Sequence, residues 1–222
     1  FFFLREQPSP DTNGAAQGIF QTIKKIPRLY AANRSLRTYA TSRVVVGWGF
    51  AAFAFLTIYS VREMGASEKE AIGLTGVLLT SQLLGSLGWG FVGDLKSPRW
   101  LPVGGSVMTV ISLLFAFFGL SMQSIYMAIF AGGLASSAFM NAELSIILHL
   151  SPSDERPTYY SIYSATYGIL TLPAPLAVGL LLNTMSFRSM FGIATILCLA
   201  GLVLMVQFLR VSRQSTLGAP AD

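Results

Sequence analysis

Charge is what this sequence has least of. Lys, Arg, Asp and Glu make up 11% of its 222 residues, where a soluble domain carries about 25%. Histidine and cysteine occur once each, as His149 and Cys198. A single cysteine excludes a disulfide within the chain and a thiolate metal site, and a single histidine excludes a histidine-based one. No metal and no cofactor is therefore expected. The pattern G-x-x-x-x-G-K-[ST] does not occur, so the chain has no loop of that kind to cradle ATP phosphates. The net charge of +5 raises nucleic-acid binding as a class. Placement excludes it, because the cations are spread over the links between apolar runs. Also lacking are an initiator Met and a signal peptide. The chain opens on Phe1-Phe2-Phe3-Leu4 and turns polar at Arg5, as the tail of an apolar span would, so a fragment of a longer polytopic protein is expected.

What the sequence has is apolar runs. Hydrophobic residues make up 53% and the mean hydropathy is +0.59. About 20 such residues cross a bilayer, and six runs meet that length. They are Val44 to Val61, Ala71 to Gly93, Leu101 to Leu120, Ile125 to Leu150, Pro157 to Thr184 and Ser189 to Leu209. The third and fourth are separated only by the polar break Ser121-Met122-Gln123-Ser124. The predicted organisation is a connector over residues 1–40, a six-helix bundle over 41–211 and a tail over 212–222. In the connector, Ile19, Phe20, Ile23 and Ile26 fall at helical spacing beside Lys24, Lys25 and Arg28. That pattern suits a helix on an anionic membrane surface and equally a solvated linker.

Orientation follows from the cations. With six spans, twelve of the fifteen Lys and Arg residues fall on one side, in the connector, the links near Asp94 and Asp154, and the tail. Arg62, Lys69 and Arg188 fall on the other. The positive-inside rule makes the richer side cytoplasmic. Both ends of the chain are then cytoplasmic, and the expected location is the bacterial inner (plasma) membrane.

The link between the second and third runs carries the strongest motif. Gly90-Phe91-Val92-Gly93-Asp94-Leu95-Lys96-Ser97-Pro98-Arg99 places a carboxylate and two cations at a membrane rim. There they can lock two neighbouring helices or release them, or serve as an ordinary solvated turn. Gly90, Asp94 and Arg99 match the loop signature G-x-x-x-D-x-x-G-R-[KR], and the stretch resembles that of the major facilitator superfamily. Ser97 and Pro98 depart from it. Asp154-Glu155-Arg156 before Pro157 resembles the same family's acidic loop ahead of its penultimate helix. The resemblance implies an all-α membrane protein whose six transmembrane helices form one half, the C-terminal half, of a major-facilitator-type bundle. It implies a missing N-terminal six-helix partner, and a gating role for Gly90, Asp94, Lys96, Arg99, Asp154, Glu155 and Arg156.

Polar residues inside spans are the remaining candidates, because lipid disfavours them. Gly133, Ser137, Asn141, Ser145 and His149 recur every four residues along one face of the fourth span. They suit either the wall of a solute cavity or helix packing through small residues, with Asn141 bonding across. Tyr163 and Tyr167 share a face of the fifth span, where they can meet a solute or a backbone carbonyl freed by a proline. Pro173 and Pro175 remove backbone donors, so a bend, and with it a hinge, is expected there. Glu143 is the one acid well inside a span. Two roles stay open for it: an ion-pair partner of a cation such as Arg43, which the rotation away from Asn141 favours, or a proton-coupling site.

The expected function is secondary active transport of a small solute by alternating access, with or without a coupling proton. The partners are the bilayer, the missing half and the solute, with no nucleic acid and no enzymatic step. A non-transporting receptor or scaffold of the same fold is the first alternative. A membrane-embedded lipid-modifying enzyme is the second.

Overall fold

A computed structural model of the protein describes residues 30–31, 33–151 and 156–217, with side chains described as far as residue 211. The expected surface helix of the connector, and Asp154 and Glu155 of the acidic loop, lie outside the described residues. Among the described residues six segments are long and apolar enough to cross a membrane. The first is α1 (Arg34–Phe50), a 3-10 turn (Ala51–Phe55) and α2 (Leu56–Met64). Next come α3 (Glu68–Leu95), α4 (Leu101–Phe118) and α5 (Met122–Leu150). The fifth is α6 (Arg156–Thr171) with α7 (Ala174–Leu181), and the last is α8 (Phe187–Leu217).

Local chemistry explains most ends. Asn33 caps α1, its Oδ1 accepting from the Leu36 N–H at 3.0 Å. Its Nδ2 donates to the Leu150 carbonyl at 2.9 Å, tying the start of α1 to the end of α5. Gly65 ends α2 at φ +66°, a conformation that costs glycine little. Ser67 and Glu70 then form a reciprocal capping box at the start of α3. The expected bend at the prolines is present as a break: α6 stops at Thr171, and α7 restarts with Pro175 in its first turn. The Trp48 indole N–H donates to the Leu170 carbonyl beside that break at 2.9 Å.

Two differences from the sequence reading have physical causes. The first span starts at Arg34 rather than near residue 41, because Arg43 is buried and does not mark a membrane edge. The same span also narrows to a 3-10 turn without any proline. There Phe50 and Phe53 stack at 4.8 Å, and the Phe53 ring fills the space where a side chain on Gly132 would stand.

Packing runs α1 on α8, α8 on α4, α4 on α5 and α5 on α3, with α6 lying more lightly against α1 and α5. In lipid such association rests on close backbone approach and interhelical bonds rather than on the hydrophobic effect. The α3–α5 seam shows both. Gly133 receives Ser81, Gly85 receives Ser137, and the Trp89 indole donates to the Leu134 carbonyl at 2.8 Å. Two apolar clusters fill the bundle. One holds Leu56, Tyr59, Ile125 and Phe191, and the other, at the Arg34 end, holds Leu36, Tyr39, Ile147 and Phe208. Burial is uneven: 61% of the α5 span is buried, against 17% of α3 and 11% of α6–α7. The last two therefore present broad faces that none of the described residues covers.

Candidate functional site

Three helices converge on one cation. Arg43 of α1 is 6% exposed. Its guanidinium carbon lies 3.9 Å from the ring centre of Phe139 on α5 and 4.8 Å from that of Tyr167 on α6. Tyr39, one turn before Arg43, stacks on Tyr163 with centroids 5.6 Å apart. Tyr163 in turn stacks on Tyr167 at 6.1 Å, their planes 11° apart. The spacings Tyr39-xxx-Arg43 and Tyr163-xxx-Tyr167 put each pair on one helix face, so α1 and α6 meet through these four side chains. Gly47 leaves room for the arrangement, since a Cβ there would lie 3.0 Å from the Tyr167 hydroxyl.

The site is short of partners. Arg43 Nε and the hydroxyls of Tyr39 and Tyr163 are enclosed without a well-formed hydrogen bond, and the two hydroxyls have only each other as a near partner. Among the described residues no carboxylate comes within ion-pair distance of Arg43. Each ring facing the guanidinium contributes about 0.5–2 kcal/mol. Burying an unpaired charge costs several kcal/mol, and each unpaired hydroxyl adds about 1–3. The rings therefore offset only part of the cost.

Glu143, taken from the sequence as a partner for Arg43 or a proton site, is partly buried on α5. It sits beyond ion-pair reach of Arg43, yet close enough for its charge to act on Arg43, Tyr39 and Tyr163. Tyr163 is fully buried, so it lines no open surface, whereas Tyr167 also borders a cavity of about 250 Å³ between α1 and α6. The α5 stripe lies along α3. Ser137 is buried and donates to the Leu134 carbonyl. The Asn141 amide donates to the Ser86 carbonyl at 3.2 Å. Ser145 donates to the Asn141 carbonyl at 3.3 Å. Asn141 thus bonds across to α3, the arrangement of a packing seam, at a position that remains open to one side.

The rim loop follows α3. Gly90 has nothing within 4 Å of where a Cβ would stand. Asp94 and Lys96 are exposed, and the Ser97 hydroxyl accepts from the Arg99 N–H at 3.5 Å. Arg99, with Ser145 and His149, borders a small cleft at the end of α5, which seats the loop against that helix. Arg156 is exposed at the start of α6. Asp94 makes no hydrogen bond or ion pair with the described residues. Asp94→Asn should accordingly leave the melting temperature within about 1–2 °C of the parent, as exposed substitutions do. Any gating role would show instead as slower solute exchange at equal expression. Equal exchange rates would return the loop to a plain turn.

Sequence reasoning missed Tyr39 and Phe139 as parts of this cluster. Tyr39 carried a usable signal, its i, i+4 spacing to Arg43. Phe139 carried none, because it meets Arg43 only through the packing of α1 near α5.

The family model of the Major Facilitator Superfamily matches residues 39–221. Among solved structures the chain is similar to a peptide transporter, POT, a point mutant in complex with sulfate, at 19% identity and a TM-score of 0.67. That match covers 79% of this chain and 37% of the other. It is also similar to a bacterial homologue of the human lysosomal transporter Spinster, in an inward-facing, unoccupied conformation, at 16% identity and a TM-score of 0.60. Here 91% of this chain and 50% of the other are covered, so the chain spans half or less of the length of either. No curated protein matches it. With six spans in one helical bundle and a family match over most of its length, the chain belongs to the Major Facilitator Superfamily.

Proposed function

We propose that this chain is the C-terminal half of a secondary active transporter, which moves a small solute by alternating access between two six-helix bundles. The observation that carries the reading is the uncovered surface of α3 and α6. Gly76, Gly88 and Gly90 on α3 and Gly168 on α6 have nothing within 4 Å of their Cβ positions. Thr80 and Ser86 are exposed on α3, and Ser161 and Ala165 on α6. Helices that face lipid alone gain nothing from such residues, whereas small residues let another helix approach closely. A second bundle seated there would enclose a cavity at the interface, the arrangement of many transporters. Both solved neighbours are described as transporters, which supports the same reading. The location that goes with it is a bacterial inner membrane, with the rim loop and the chain ends cytoplasmic.

The deciding measurement is counterflow of labelled solutes in vesicles holding the complete protein. Uptake that depends on solute preloading supports transport. Solute binding without any counterflow would make the protein a receptor or scaffold instead. Residues 1–222 alone should insert and carry nothing, and robust uptake by this chain as a monomer would overturn the two-bundle reading.

A further inference from the structure

We propose that Arg43, with the hydroxyls of Tyr39 and Tyr163, forms a binding site for the carboxylate of an organic monoanion, whose apolar body occupies the cavity beside Tyr167. The inference rests on the transport reading for its biological sense, and on the geometry alone for its chemistry. A guanidinium offers five N–H donors and accepts nothing. In Arg43 they find no acceptor among the described residues. Two tyrosine hydroxyls beside it are enclosed, with no partner near them but each other. Three enclosed donor groups in one cluster call for an acceptor of two or more lone pairs, and a carboxylate supplies about four. The fork of a guanidinium matches it in two parallel bonds.

The charge argues for a monoanion. One buried guanidinium neutralises one negative charge. A doubly charged phosphate would leave a net charge in the same apolar surroundings, which is costly. The neighbouring cavity argues for an apolar body. Ala40, Val44, Val45 and Leu170 give it an apolar wall; Thr41, Thr166 and Tyr30 add polar groups, and Arg37, itself exposed and so screened by solvent, also borders it. Tyr167 stands between Arg43 and the cavity, its ring against the guanidinium and its side chain part of the cavity's lining. A rotation of that side chain joins them. Because α6 packs lightly, it is the wall most able to give.

The same carboxylate chemistry could come from a side chain, Glu143 in another conformation or an acid of the second bundle, and the test separates the two sources. Benzoate and its neutral isostere benzamide serve as probes, added to the complete protein purified in detergent, with thermal unfolding as the readout. Benzoate should raise the melting temperature in a saturable way and benzamide should not. Arg43→Gln should weaken benzoate about 10- to 100-fold, and Tyr163→Phe about 5- to 10-fold. Tyr163→Phe guards against misfolding: it removes a buried hydroxyl with no near partner but that of Tyr39 and keeps the ring, so the variant should fold nearly as well as the parent. Equal responses to benzoate and benzamide, or an unchanged benzoate response in Tyr163→Phe and Arg43→Gln, would overturn the site. So would strong destabilisation of Arg43→Gln with no benzoate response in the parent, the signature of a side-chain carboxylate already in place. Counterflow keeps the two readings apart. Exchange of other solutes without benzoate binding leaves transport standing and removes the site. Benzoate binding through Arg43 with no exchange of any solute does the reverse.

Discussion

Gly49→Val is expected to lower the melting temperature of the detergent-solubilised protein by about 5–10 °C and to reduce its folded yield. The α1–α8 crossing is the reason. A Cβ on Gly49 would collide with Cys198 Sγ and lie 2.7 Å from the Ala194 carbonyl oxygen. One of those neighbours is backbone and cannot swing aside. Gly201 answers from α8, where a Cβ would lie 3.0 Å from the Val46 nitrogen. Cys198 Sγ closes the same contact with a weak bond to the Val46 carbonyl at 3.7 Å. Overpacking typically costs about 1–3 kcal/mol, and each kcal/mol shifts a protein of this size by about 2–4 °C. Gly179→Val is the control, because its Cβ meets only the Phe55 ring, at 3.7 Å. A Gly49→Val variant that melts with the control would mean that α1 and α8 do not approach as described.

Glu143→Gln should give normal expression and folded yield; a coupling role would show as lost pH-driven accumulation with counterflow intact. Removing one member of a buried ion pair destabilises by about 3–5 kcal/mol. Among the described residues Glu143 has no such pair, so its neutralisation should not cost the fold. It is partly buried and lies within electrostatic reach of a buried cation and two enclosed tyrosines. The sequence favoured the ion-pair role, on the ground that Glu143 points away from the Asn141 stripe. The rotation argument agrees with the structure, since Asn141 bonds to Ser86 of α3 while Glu143 acts on groups of α1 and α6. The step from facing away to being paired has no contact behind it. Loss of folded Glu143→Gln, rescued by changing Arg43 as well, would restore the pair.

The sequence by itself determined the six spans and their order, because an apolar run of bilayer length with no charge has few other stable places to go. It also determined the family, through Gly90, Asp94 and Arg99 in one short link, and the break near Pro173, because a missing N–H is a local fact. Tertiary structure alone decided what the polar residues inside the spans meet. Periodicity set Ser137 and Asn141 on one face of α5 but could not say that α3 covers it. Arg43 is the sharpest case. Read along the chain, a charge beside an apolar run marks a membrane edge. In space, Phe139 and Tyr167 lie against it from helices far along the chain. Whether a cation sits at a rim or in a core depends on what packs over it, and packing between distant segments is not written in either segment.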